Sequence, residues 1–398
     1  MESSLSRRDF VARLAAAAGV GLLGCSDSTE PSPPSGPAAS GLDHIVVVTM
    51  ENRSFDHMLG WLPGADGRQS GLSFRDRNGV AHATQRLTDF QMCGFADPTH
   101  SFEGGRAEFN NGACDGFLTA GNNDLFAIGY YEAADLPFLG RAAPAWTVLD
   151  RYFTALMGPT YPNRLIAHAG QTDRLSNTIT ASTLPAIWDR LSAAGLSGRN
   201  YGDPITTAQL LWGDRYMPFV RPLSAFFSDA ASGSLPAVSF VDPNFIFAPS
   251  NSFHPPGDMR DGEAFLASIY KAVTRSPVWS STLLILTFDE WGGFFDHVPP
   301  PISPIPPGEL AAGNVDGLRG FRIPTILVSP FAKRGFVSST VYDHASVLRL
   351  IEWRWSLEPL TVRDAQANNL ADALDFAHPQ LTAPVIDVSP GPFGAACT

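Results

Sequence analysis

The sequence predicts an α/β fold, with a mostly parallel central sheet flanked by helices on both faces and long loops rich in proline and glycine. Three observations predict it. Short apolar runs of strand length recur at 45–49, 237–241, 283–288 and 325–328. Helical patterns alternate with them, at 184–194, 262–276 and 344–354. Pro (33) and Gly (36) are plentiful, so ordered loops carry much of the chain.

The runs at 45–49 and 283–288 are continuous apolar stretches, as expected of strands buried on both faces of a parallel sheet. The helix from His344 has a start signal, with Asp343 placed to cap it. The segments 245–257 and 298–313 read as loops, and the second directly follows a pair of carboxylates, as an active-site loop would. At 398 residues and 44% hydrophobic composition, a large core is affordable within one domain over 41–398. The net charge of −12 argues against a sequence-independent nucleic-acid binder, which needs a basic surface.

Residues 1–25 read as an export signal rather than as part of the fold. Arg7-Arg8 precedes an apolar, alanine-rich stretch at 11–24, the pattern of a twin-arginine signal and too short for a comfortable membrane span. Leu22-Leu23-Gly24-Cys25 has the form of a lipoprotein processing box, with Cys25 as the lipidated residue and a membrane attachment; cleavage nearby without lipid is the alternative. The Ser/Pro-rich stretch 26–40 reads as a tether. Three thiols remain, Cys93, Cys114 and Cys397, and an oxidising compartment permits a disulfide. Cys93 with Cys114 is the expected pair because they bracket one loop region, leaving Cys397 odd, although three pairings exist and the sequence does not choose among them.

The chemistry concentrates in five places. Glu51-Asn52 follows the first apolar run, and Asp289-Glu290 follows the run at 283–288. Buried carboxylates are costly to desolvate unless they meet a cation, and strand ends of open α/β sheets are where ligands bind. The two strands therefore point to one metal site assembled from distant parts of the chain. Its hard oxygen donors suit Mg, Ca or Mn, with Zn not excluded. His100 and His254 are each presented by proline-containing turns. Thr160 lies between Pro159 and Pro162 at the start of a helical pattern, where backbone N–H groups favour an anion. A hydroxyl placed there beside a metal can attack phosphorus.

Taken together, these stretches resemble the bacterial phosphoesterase family that includes phospholipases C and an acid phosphatase. The resemblance covers nearly the whole mature chain. It rests on His44-Ile45-Val46-Val47-Val48-Thr49-Met50-Glu51-Asn52-Arg53-Ser54-Phe55-Asp56, on Gly158-Pro159-Thr160-Tyr161-Pro162-Asn163-Arg164, on His254-Pro255-Pro256, and on Thr287-Phe288-Asp289-Glu290-Trp291-Gly292-Gly293-Phe294-Phe295-Asp296-His297-Val298-Pro299-Pro300. It implies an alkaline-phosphatase-like fold. It also implies a divalent metal held by Glu51, Asn52, Thr160, Asp289 and Glu290, with Thr160 as nucleophile and His100, His254 and His297 around the phosphate. Two departures stand out. The phosphatase branch carries Ser where Thr160 stands, whereas Thr is what the phospholipase C branch shows. Trp291 replaces a more common small or polar residue.

The expectation is an exported, metal-dependent phosphoesterase of phospholipase C type, acting on phosphodiesters such as phospholipids through a phosphothreonine. An acid phosphatase with the same site is the nearest alternative. A sulfatase is disfavoured by the lack of Cys at the nucleophile position. From another class, a non-catalytic surface lipoprotein that binds phosphorylated ligands is opposed by the retention of Thr160 and both carboxylate pairs.

Overall fold

The computed structural model describes residues 40–394 and Cys397. The expected export signal, the lipidation expected at Cys25 and the expected tether, except its last residue, lie outside the described residues.

An eight-stranded sheet organises the chain. Its strands are β1 (His44–Met50), β2 (Thr147–Leu149), β3 (Gly198–Tyr201), β4 (Val220–Arg221), β5 (Val238–Val241), β6 (Thr282–Phe288), β7 (Ile326–Val328) and β8 (Phe336–Ser338), in the order β8-β2-β7-β6-β1-β5-β3-β4. The pairings β6-β1, β1-β5, β5-β3 and β3-β4 are parallel, as is β8-β2. β7 runs antiparallel to both of its neighbours, so the apolar run at 325–328 supplies the reversed strand of the sheet.

Every residue of β6 is buried. Successive side chains on a strand point to opposite faces, so this requires cover on both sides of the sheet. Helices supply it. They include α1 (Phe55–Leu59), α2 (Phe102–Phe109), α3 (Thr160–Ala169), α4 (Ile187–Ala193), α5 (Met259–Thr274) and α6 (His344–Trp355). α5 packs on β6, and α3 packs against α4 and α6. Leu283, Leu284 and Ile285 are fully buried, each worth roughly 1.5–3 kcal/mol of transfer free energy. α6 starts where Asp343 caps it, with the carboxylate accepting from the Ala345 N–H at 2.9 Å. The loop at 298–313 contains a single helical turn at Pro307–Ala311.

The register of β1 on β6 places the site. Met50 pairs with Phe288, so Glu51 and Asp289 emerge side by side at the carboxyl edge of two adjacent parallel strands. Val48 pairs with Val241, which brings Asp242 to the same edge from β5.

The disulfide corrects the sequence reading. Cys93 is bonded to Cys397, 304 residues away, and Cys114 is a free thiol. Cys114 is 5% exposed in the core, and burial pushes its thiol up to about 12. Cys93 lies instead on an exposed loop. Bracketing one loop region in sequence did not make Cys93 and Cys114 partners.

Candidate active site

Glu51, Asn52, Asp289 and Glu290 are each at most 2% exposed. Local hydrogen bonds hold them together. Asp289 Oδ1 accepts from the N–H of Asn52 at 3.2 Å and of Glu290 at 2.8 Å. Glu290 Oε2 accepts from the Gly292 N–H at 2.6 Å. Gly292 has φ +68°, and a Cβ there would lie 2.2 Å from the Asn52 carbonyl oxygen, so only glycine lets the β6 loop close against the β1 loop. Asn52 itself is left-handed at φ 35°.

In sequence the cation nearest these carboxylates is Arg53, which donates to the Phe253 carbonyl, and the fold brings a second. Arg164, one turn into α3, is 1% exposed and reaches three strand ends at once. Its Nε donates to Asp289 Oδ2 (3.0 Å), Nη2 to Glu51 Oε1 (3.1 Å) and the Thr49 carbonyl (3.2 Å), and Nη1 to Asp242 Oδ1 and Thr207 Oγ1 (both 3.1 Å). Burial alone would lower its pKa, but Asp289, Glu51 and Asp242 raise it above the ordinary value. Arg164 was visible in the motif, yet nothing in the sequence marked its partners.

One guanidinium does not neutralise this cluster. Glu51 and Glu290 are both pushed well above the carboxylate range, first by burial and next by the Asp289 charge. Glu290 Oε1 and both side-chain polar atoms of Asn52 are buried without a hydrogen-bond partner. Orphaned oxygens beside excess negative charge fit a bound divalent cation, and the donor set is the hard-oxygen type such ions take.

Thr160 opens α3 and is 4% exposed. The turn before it is held by Asn163, whose amide donates to the carbonyls of Leu156 (3.1 Å), Gly158 (2.8 Å) and Pro159 (3.0 Å) and accepts from the Leu156 N–H (2.9 Å). Pro162 falls in the first turn, where its missing N–H has no intrahelical partner to lose. Thr160, Glu51 and His254 line one cavity of about 820 Å³. His100 lines a neighbouring cavity of about 570 Å³ with Pro159, and Asn177 borders both.

The two histidines stand close, with ring centroids 6.0 Å apart. His100 Nδ1 faces the Pro98 carbonyl at 2.8 Å, and His254 Nδ1 the Pro255 carbonyl at 2.5 Å. A carbonyl accepts only, so each Nδ1 carries the hydrogen and Nε2 is left for the site. His100 Nε2 lies 3.9 Å from Glu290 Oε1, and His254 Nε2 lies 4.0 Å from Glu51 Oε2 and 3.7 Å from Asp97. Asp97, His100 and His254 each offer a ligand atom within 4.8 Å of the others, a metal-sized grouping the sequence did not reveal.

His297 is not brought to these cavities. Its Nδ1 meets Asp56 Oδ2 at 2.5 Å and its Nε2 meets Asp66 Oδ1 at 3.2 Å. Arg322 binds Asp56 and Asp296 in the same cluster. Burial would lower the His297 pKa, but Asp56 and Asp296 raise it. The family resemblance implied a place for His297 around the phosphate; its bonds to Asp56 in α1 and to Asp66 were not legible in the sequence.

Trp291 has a packing reason. Its ring fills space left by Gly105 and Gly320, where a Cβ would come within 2.8 and 3.1 Å of it. Its Nε1 donates to Glu108 Oε2 at 2.7 Å, and Glu108 Oε1 accepts from Asn123 at 3.0 Å. Asn123 in turn accepts from the Thr99 N–H at 2.7 Å, next to His100. Burial pushes Glu108 up to about 8.

Comparison with known proteins gives the family of the chain. The model of the Phosphoesterase family matches residues 42–358. The chain is 30% identical to non-specific phospholipase C6 of Arabidopsis thaliana over 87% of this chain and 74% of that protein. It is likewise 30% identical to phospholipase C A of Mycobacterium tuberculosis, over 94% of this chain and 86% of that one. Among solved structures, a protein in the alkaline phosphatase superfamily from Vibrio parahaemolyticus aligns over 82% of this chain and 70% of its own, with 9% identity and a TM-score of 0.38. With the family match spanning most of its length, the chain belongs to the phosphoesterase family and is a hydrolase of phosphoester bonds.

Proposed function

We propose that the protein is an exported, metal-dependent phosphodiesterase of phospholipase C type, with Thr160 as its nucleophile. One observation carries this reading: Thr160, at a helix start, lines the same cavity as Glu51 and His254. At about 820 Å³ that cavity has room for a second ester substituent, which favours diesters over monoesters.

Glu51, Asn52, Asp289, Glu290 and Thr160 are the residues that would hold a divalent cation. When bound, it would supply stabilisation of negative charge on the Thr160 oxygen and the phosphoryl oxygens. Thr160 Oγ1, its proton released to solvent beforehand, attacks phosphorus as the oxyanion, forming a P–O bond to the protein as the bond to the departing alcohol breaks, and it is released as the same oxyanion on hydrolysis. Protonated His254 or His100 delivers a proton from Nε2 to that departing oxygen. The imidazole, now neutral, takes a proton from the water that cleaves the phosphothreonine. Arg164 keeps Glu51 and Asp289 in place throughout.

The disulfide supports export, because such bonds persist in oxidising compartments. No helix among the described residues is long and apolar enough to cross a membrane. A lipid on Cys25 would supply a membrane attachment. Changing Arg7 and Arg8 to Lys should leave precursor in the cytoplasm; normal export of that variant would point to the general secretory route.

The activity is tested by stripping metal, restoring single divalent ions, and comparing bis(4-nitrophenyl) phosphate with 4-nitrophenyl phosphate. Faster, metal-restored turnover of the diester is expected. Turnover of the monoester alone would give the acid phosphatase reading instead.

A further inference from the structure

The chain's last described residues lie on the cavity. Pro392, Phe393, Gly394 and Cys397 form part of the lining that includes Thr160 and His254. They are fastened at several points. The Phe393 N–H donates to Asp261 Oδ1 at 3.0 Å, in the first turn of α5. The Phe393 ring lies 5.0 Å from the Arg260 guanidinium, which is bound to Asp258 at 2.6 Å. Gly394 has φ +65°, and a Cβ there would meet Asp258 at 2.9 Å, so the segment is pressed against the start of α5. Cys397 is bonded to Cys93 and lies 3.8 Å from the carbonyl of Pro256, in the turn that presents His254.

We propose that segment 391–394, tied down through the Cys93–Cys397 disulfide, is a specificity wall: Phe393, which shares the lining with Phe245, is the apolar surface against which the ester's second substituent packs. The lining supports an apolar substituent. Two of its carboxylates are already paired, Glu51 with Arg164 and Asp258 with Arg260, so the rings of Phe245 and Phe393 carry the preference. The Phe393 ring supplies no proton, nucleophile or metal ligand, so it acts on binding of the substituent and not on the bond-breaking step. This rests on the phosphodiesterase reading above.

Calorimetry on the full protein separates the two ideas when each calorimetric sample also carries Thr160→Val, so that the diesters bind without being hydrolysed. Diphenyl phosphate and dimethyl phosphate are titrated into the parent, Phe393→Ala and Cys397→Ser. The parent is expected to bind diphenyl phosphate more tightly. Phe393→Ala, which keeps the disulfide, should weaken diphenyl phosphate about tenfold, the size expected from losing most of one aromatic contact, and leave dimethyl phosphate unchanged. Cys397→Ser should weaken it similarly by releasing the segment. In parallel, KM for bis(4-nitrophenyl) phosphate should rise with kcat within about twofold, as for lost ground-state binding. No preference for diphenyl phosphate in the parent, or equal weakening of both ligands in the variants, overturns the wall. A parent that shows the binding pattern but hydrolyses neither nitrophenyl ester overturns the phosphodiesterase reading alone.

Discussion

Replacing Arg164 with methionine removes one guanidinium and keeps an unbranched stem of similar length. The lost group is 1% exposed and donates five hydrogen bonds, three of them to Glu51, Asp289 and Asp242. Deleting one partner of a buried ion pair costs about 3–5 kcal/mol, since the remaining charge has no counter-ion. Three carboxylates are stranded here at once, which puts the loss at the upper end, about 5 kcal/mol at neutral pH. At ~2 cal/mol/K of unfolding entropy per residue, that lowers Tm by about 6 °C in a chain of this length. The sign with pH is fixed. Stranded carboxylates hold protons more tightly folded than unfolded, so their penalty is small below about pH 4 and grows as pH rises towards 8. Denaturant unfolding of parent and variant at pH 5 and pH 8, in chelator, measures it. A variant within 1 kcal/mol of the parent at pH 8 would refute the claim that Arg164 offsets the charge of Glu51, Asp289 and Asp242.

Other outcomes follow from the same cluster and its surroundings. Glu51 and Glu290 are raised above their ordinary value of 4.5, so the folded protein holds protons that the unfolded chain has released. Their stabilising effect is present below that value and is lost as pH rises above it, at ~1.4 kcal/mol per pH unit for each proton. A divalent cation replaces those protons, and at a hundredfold excess over its Kd it stabilises by ~2.7 kcal/mol. Thermal shift on metal addition should thus be larger at pH 8 than at pH 5, and an equal shift at both would contradict the assigned ligands. Trp291→Phe removes the bond to Glu108 and should cost about 1–2 kcal/mol in denaturant unfolding, and an unchanged midpoint would mean that bond is not formed in solution.

The sequence made β1 and β6 legible because each is a continuous apolar run, and a parallel partnership puts the residues after both at one edge. α6 was legible through Asp343. β2, β3, β4 and β8 were not read as strands. They are two to four residues long, and most carry polar or glycine positions, so no period of two could emerge. The direction of β7 was hidden for another reason: an apolar strand reads the same either way. Within the site, the carboxylates, Thr160 and the two proline-held histidines could be found because each sits beside a strand end or rigid turn. Arg164 could not, because its three partners come from three other strands. The proximity of Asp97 to His254 and the union of Cys93 with Cys397 are products of tertiary closure alone.

The central claim is that the Thr160 oxygen forms the bond to phosphorus. Its most direct measurement is acid quench of the metal-loaded protein during turnover of bis(4-nitrophenyl) phosphate, followed by mass analysis of the peptide containing residue 160. The account predicts a phosphorylated peptide in the parent and none in Thr160→Val. It also predicts turnover lowered by several orders of magnitude in Thr160→Val and partly retained in Thr160→Ser, which keeps the attacking oxygen. Near-normal turnover by Thr160→Val, with no phosphopeptide in the parent, would contradict it and assign the attack to water.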